Sequence, residues 1–166
     1  MTRLLLADAA WFIAAALIAL GMGMVGDRFF RHPPLGWHYQ TAAQRVLAMP
    51  GSQAPINMVS VEEVSALVSR PDVITLDARP RIFYELGHLP GARSLSREQF
   101  DVDFAIIEKE LRVPGHTLLV YCSDASCEDS AIVAHELQKR GLGPLILFPG
   151  GLEEWEAAGH PVETVP

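Results

Sequence analysis

A chain of 166 residues has room for one domain of ordinary size and an appendage. Its net charge of −7 is unevenly placed: residues 1–58 carry four Arg and two Asp, a net of +2, and residues 59–166 carry nine Lys or Arg against eighteen Asp or Glu, a net of −9. The globular part is therefore acidic, which repels a phosphate backbone and excludes nucleic acid as a partner.

The first element in chain order is residues 9–25, AAWFIAAALIALGMGMV, a run of seventeen residues without a charge. It is apolar all round, which suits a helix surrounded by lipid. Its length lies at the lower end of the about 17–25 residues that a membrane span needs. Residues 1–30 are accordingly read as a transmembrane anchor, and the protein as single-pass. A signal peptide, for which GMGMVGDRFF offers only a weak cleavage site, and a buried core helix are the alternatives. Gly21, Gly23 and Gly26 form a small-residue face suited to helix pairing in the membrane. Arg3 on one side and Arg28, Arg31 and Arg45 on the other leave the orientation undecided. The redox state on the side of the globular part is therefore open too.

Residues 31–58 are rich in Pro and Gly and read as a juxtamembrane linker, with a short helix over 41–49. Trp37 and Tyr39 suit either the headgroup level or packing on the domain. From residue 59 the pattern becomes regular. Ser60 and Glu63 form a capping box ahead of Val61, Val64, Leu67 and Val68 at helical spacing. DVITLD is a buried strand ending in Asp77, and RPRIFYELGHLPGA a short helix followed by a turn. Ser96 with Gln99 starts a helix whose stripe includes Phe104, Ile107 and Leu111. HTLLVYC is a second strand, and EDSAIVAHELQKRG a helix closed by Gly141 with Ile132, Val133 and Leu137 in the core. PLILF is a third strand, and GGLEEWEAAGHPV a last short helix with Trp155 inward. Apolar strands alternating with helices imply an α/β fold, a small parallel sheet flanked by helices on both faces.

The two cysteines of the chain, Cys122 and Cys127, both fall between HTLLVY and the helix after it. Ligands of such sheets bind at the carboxyl ends of strands, and Cys122 stands at one. A loop curled so that its N–H groups point inward would cradle an anion, either the thiolate or a group attached to it. A thiol so placed has a depressed pKa and is nucleophilic near neutral pH. The bland alternative is a small buried hydrophobe. Cys127 can close a disulfide with Cys122 if their Cα atoms come within about 7 Å; it would then be a resolving thiol. Otherwise it merely packs. Two cysteines make a poor zinc site, and His116 and His135 lack ligand spacing, so neither metal nor cofactor is expected.

LDARPRIFYELGHLPGA, LLVYC and FPGGLEEWEAAGHPVE together resemble the rhodanese-like domain. They match its Asp-x-Arg strand end, its Gly-His-Ile-Pro-Gly-Ala segment with Leu89 in place of Ile, its active-site cysteine and its Gly-Gly-x-x-x-Trp close. The resemblance covers about residues 59–163 and implies a rhodanese-like fold over 59–166. It also implies a sulfurtransferase, with Cys122 as the catalytic cysteine that takes up sulfane sulfur as a persulfide and passes it to a thiol or other nucleophile. Ser123, Asp124, Ala125, Ser126, Glu128, Asp129 and Ser130 would form the active-site loop with Cys127, and Asp77 and Arg79 would support it. The implied partners are a small sulfur donor or protein persulfide and an acceptor thiol.

Two features depart from the family pattern. The common loop runs Cys-Arg-x-Gly-x-Arg-Ser, whereas here Ser130 comes two residues later and the loop holds three carboxylates and no arginine. Asp129 stands where an oxyanion-binding Arg would, which argues against phosphatase and arsenate chemistry and against thiosulfate as preferred donor. Phe83 replaces an acidic residue, which leaves Arg79 without its usual local partner. His88 is expected to hold its turn and not to react. A thiol–disulfide switch of Cys122 and Cys127, and a non-catalytic module tethered to a membrane, are the rival readings.

Overall fold

The computed structural model describes residues 56–165. The expected anchor over 1–30, and the linker as far as residue 55, lie outside them. Among the described residues no helix is long and apolar enough to cross a membrane.

Among the described residues five strands and five helices follow one another: β1 (Asn57–Met58), α1 (Val61–Leu67), β2 (Val73–Asp77), α2 (Arg81–Leu86), β3 (Arg93–Ser94), α3 (Phe100–Leu111), β4 (Thr117–Tyr121), α4 (Asp129–Lys139), β5 (Leu145–Phe148) and α5 (Gly151–Ala157). All strand pairs are parallel, in the order β1-β5-β4-β2-β3. β4 is the middle strand, and its neighbour β2 is in register from Val73 opposite Thr117 to Asp77 opposite Tyr121. The two strands therefore end side by side, and the loops that follow them leave from the same edge of the sheet.

Side chains alternate across a strand, and the core divides accordingly. Leu118 and Val120 of β4 join Ile74, Leu76, Leu145 and Leu147 on one face, covered by α3 and α4 through Phe100, Phe104, Ala131 and Leu137. Leu119 and Tyr121 join Phe148 on the other face, covered by α1 and α5 through Val61, Val64 and Trp155. The capping box of Ser60 and Glu63 starts α1 as expected. Ile132 is only half-buried, whereas Val133 and Leu137 are wholly enclosed.

Three details differ from the sequence expectation. Asn57–Met58, assigned by composition to the linker, pair with Ile146 and Leu147 as an edge strand. Arg93–Ser94 add the opposite edge beside Leu76 and Asp77. The helix expected from Ser96 begins at Phe100. Ser96 Oγ does accept from the Gln99 amide at 3.2 Å, but it also donates to buried Asp103 at 2.9 Å, as does the Ser96 amide. Asp103 thereby ties the loop to the first turn of α3.

Trp155 is 2% exposed, and its Nε1 donates to the Pro161 carbonyl at 2.8 Å. Trp155→Ala should cost about 3–5 kcal/mol of stability, read as a lower urea midpoint with an unchanged slope.

Candidate active site

Cys122 follows directly on β4 and is 2% exposed. It is bonded in a disulfide to Cys127, with 6.2 Å between their Cα atoms. The pairing that the sequence left open is made. The acidic residues of the loop explain how. Asp124 Oδ1 accepts from the Ser126 amide at 2.7 Å and from the Ser126 hydroxyl, while the Asp124 carbonyl accepts from the Cys127 amide at 3.2 Å. This is a local turn of the kind Asp side chains favour, and it folds the chain back so that Cys127 meets Cys122. Hydrogen bonds from the Ser126 hydroxyl, then from its amide, hold the Asp124 carboxyl below the usual carboxylate range. The amides of Ser126 and Cys127, expected to line an anion cradle, are thus turned onto Asp124.

Asp129 opens α4, and its Oδ1 accepts from Arg97 Nη1 at 2.9 Å. The loop holds no arginine of its own, and Arg97 reaches its end from 32 positions away. Arg97 is itself placed by its amide, which donates to the Ala78 carbonyl at 3.2 Å. Glu128 takes the N-cap position of α4 without a side-chain capping bond. Ser130 is buried, Cys127 and Asp129 are half-buried, and Ser123, Ala125 and Ser126 are exposed. Cys122 Sγ, Cys127 Sγ and a carboxylate oxygen of Asp129 lie within 4.8 Å of one another, and neither His116 nor His135 joins them.

The loop is braced from α5. The amides of Leu152 and Glu153 donate to the carbonyls of Cys122 at 3.0 Å and Ser123 at 2.9 Å. These amides belong to the first turn of a helix, where no intrahelical partner exists for them. Gly151 makes the contact possible: its φ is +63°, and a Cβ there would collide with the Cys122 carbonyl oxygen and the Ser123 backbone. The Gly-Gly pair quoted from the sequence thus has its physical reason in how closely α5 approaches the cysteine loop.

Asp77 and Arg79 form a buried cluster beneath this surface. Arg79 Nε and Nη2 donate to Asp77 Oδ1 at 3.0 Å and Oδ2 at 2.6 Å, and the Arg79 amide to Oδ1 at 2.9 Å. Nη2 also donates to the Gly87 carbonyl. Phe83 lies exposed on α2 and offers Arg79 no carboxylate, but Arg79 is not left unpaired, because Asp77 two residues before it supplies one. Burial opposes the Arg79 charge, but the hydrogen bonds and charge of Asp77 outweigh it and hold the guanidinium above its ordinary value. Tyr121 donates to Asp77 Oδ2 at 2.6 Å and accepts from the Leu89 amide at 3.1 Å. Burial first, then the charge of Asp77, pushes the Tyr121 hydroxyl far up, so it remains protonated.

His88 holds its turn, as expected. Its Nδ1 lies 2.8 Å from the Tyr84 carbonyl, its ring stacks on Tyr84, and its backbone pairs with Glu163. Tyr121, Arg97 and Gly151 are the site residues whose parts the sequence reading did not assign. Gly151 and Tyr121 stood inside quoted motifs, whereas nothing local marks Arg97.

The rhodanese-like domain family matches residues 60–158. The chain belongs to this family. It is 28% identical over 100 residues to the thiosulfate sulfurtransferase GlpE of Pseudoalteromonas translucida, a match covering 60% of this chain and 89% of that protein. The thiosulfate sulfurtransferase of Pseudomonas aeruginosa superposes with a TM-score of 0.55 at 25% identity, covering 67% of this chain but only 21% of that larger one. The BH2092 protein of Bacillus halodurans shares the fold at a TM-score of 0.58 and 18% identity, over 66% of this chain and 77% of its own. Within this rhodanese-like frame, Cys122 directly follows the middle strand of the sheet.

Gly151→Ala should destabilise the domain by at least about 1–2 kcal/mol from the left-handed backbone alone. By pushing α5 off the loop it should also speed reduction of Cys122–Cys127 by a small dithiol, followed by thiol alkylation. Tyr121→Phe strips Asp77 and the Leu89 amide of a buried partner and should cost about 1–3 kcal/mol, measured by chemical denaturation.

Proposed function

We propose that the protein is a sulfurtransferase that carries sulfane sulfur as a persulfide on Cys122 and passes it to an acceptor thiol. The observation that supports this reading is the placement of Cys122: it directly follows the middle strand of a rhodanese-like sheet, with its carbonyl fixed by the first turn of α5. The disulfide is the resting, oxidised form, in which neither sulfur is a nucleophile. A dithiol reductant opens it by exchange, leaving two protein thiols and its own disulfide. The Cys122 thiolate then attacks the sulfane sulfur of a donor R–S–S⁻, forming Cys122–S–S⁻ and releasing R–S⁻. An acceptor thiolate attacks the outer sulfur, becomes the new persulfide and returns the Cys122 thiolate.

Cys127 sets the lifetime of that persulfide. Its thiolate attacks the inner sulfur of the protonated persulfide Cys122–S–SH, HS⁻ leaves with that proton, and the disulfide closes again. With Asp124 and Glu128 in the loop, a persulfide R–S–S⁻, singly charged at its reacting end, meets less repulsion than a dianion such as thiosulfate. The membrane reading of residues 9–25 would tether this chemistry to a bilayer, leaving the acidic domain to meet small donors and thiols and not nucleic acid.

The disulfide itself favours a second reading, a redox switch that cycles Cys122 and Cys127 without carrying sulfur. Intact mass and peptide mapping of the reduced protein after polysulfide separate the two. The wild type and Cys127→Ser should each gain one sulfur atom on Cys122 and lose it to an added thiol, with the adduct longer-lived in Cys127→Ser. Cys122→Ser should gain none there. Loss of two hydrogens in the wild type, with no transferable sulfur in Cys127→Ser, would leave the switch as the function.

A further inference from the structure

The sequence offered the loop only two donors, whereas the fold adds a third. Cys122 comes from a strand end, Cys127 from the turn that Asp124 builds, and Asp129 from the start of α4, yet their donor atoms lie within 4.8 Å of one another. We propose that the reduced loop is a metal site, in which Cys122, Cys127 and Asp129 bind a divalent d10 ion of the zinc class and leave a fourth position open.

The geometry supports this in two ways. A tetrahedral ion with bonds of about 2.0–2.3 Å to sulfur and oxygen holds its donors roughly 3.5–4 Å apart. The Asp129 oxygen is already near that range, and a Cα separation of 6.2 Å lets the two sulfurs part to it once their bond is broken. The Asp129 carboxylate is also held in advance: Oδ1 accepts from Arg97 Nη1 at 2.9 Å, and a carboxylate oxygen of Asp129 lies within 4.8 Å of both sulfurs. Ligating carboxylates are commonly held by such an outer hydrogen bond. Asp124 is not among the donors that lie within 4.8 Å of one another.

The chemistry balances. A dithiol reductant takes over the disulfide bond and leaves two protein thiols, and the incoming ion displaces one proton from each. Two thiolates and one carboxylate then face a dication, with Arg97 offsetting the remaining charge. Metal binding needs the thiols but no sulfur transfer, so it stands or falls separately from the persulfide reading. The two meet at Cys122, since a thiolate bound to metal is withheld from a sulfur donor.

The test titrates the full-length protein, reduced with a dithiol and desalted without oxygen, with Cd²⁺ and then with Zn²⁺ as competitor. The readouts are thiolate-to-cadmium charge-transfer absorption and metal per chain by native mass spectrometry. One cadmium per reduced chain is expected, displaced by zinc, and none on the oxidised chain. Cys127→Ser should lose the band. Asp129→Asn should weaken binding about tenfold or more, and Arg97→Gln, which leaves all three donors in place, should weaken it within the 10–100-fold range of outer-partner losses. Glu128→Gln should bind as the wild type does. Equal binding by the oxidised and reduced chains, a band unchanged in Cys127→Ser, or wild-type affinity in both Asp129→Asn and Arg97→Gln would each overturn the site.

Discussion

A carboxylate with no exposure to water must be paired, and the arrangement of this domain follows from how Asp77 is paired. Its carboxylate has partners from two segments, and a third joins through one of them. Arg79 folds back from the loop after β2, Tyr121 reaches across from the last position of β4, and the Tyr121 hydroxyl in turn receives the Leu89 amide from the turn after α2. Arg79 extends the same network to the Gly87 carbonyl. The ends of two adjacent strands and the GHLPG turn are thereby fixed to one point. Removing one member of such a buried pair leaves a charge uncompensated, at a typical cost of about 3–5 kcal/mol. The residue after Tyr121 is Cys122, so this network sets the origin of the cysteine loop.

From that fixed origin the loop is held by a second set of forces. The carbonyls of Cys122 and Ser123 accept the first-turn amides of α5, its far end is drawn to Arg97 through Asp129, and its middle is turned by Asp124. The carboxylates that looked hostile to a thiolate are therefore mostly engaged. Asp124 is bound to Ser126 and Asp129 faces a guanidinium, leaving Glu128 as the loop acid without a hydrogen-bonded partner among the described residues. The field of Asp129 at the sulfurs is weaker than the bare sequence implies, because a carboxylate paired with a guanidinium acts at a distance as a dipole, whereas Asp124, bound to a neutral hydroxyl and amide, keeps its full charge.

The sheet was legible because its three long strands are continuous apolar runs, which parallel strands covered on both faces require. The capping box before α1 and the glycine after α4 were legible because caps are local chemistry. The edge strands were not: Asn57–Met58 and Arg93–Ser94 are two residues each, too short to show any period, and only their neighbours make them strands. The candidate site divides along the same line. Cys122 was marked by its place after an apolar run. The partner of Arg79 was sought along α2, where the family has an acid, although the Asp77 side chain two residues before it was the one in reach. Arg97 and Asp129 meet only through the stacking of their loops on one edge of the sheet, which no local pattern encodes.

The disulfide shows how far a local motif can carry an argument. Spacing permitted it but could not require it, because the Cα separation depends on the turn between the cysteines, and that turn depends on Asp124 finding Ser126. Once the turn exists, the two sulfurs are brought within bonding distance. A loop that holds one thiol at a strand end can exchange sulfur; a loop that keeps a second thiol and a carboxylate beside it has further outcomes for the same thiolate. On the readings proposed above, persulfide, disulfide and metal thiolate all use the electron pair of Cys122, so each excludes the other two. Which one holds is then set by the supply of reductant, sulfane sulfur and metal ion around the loop.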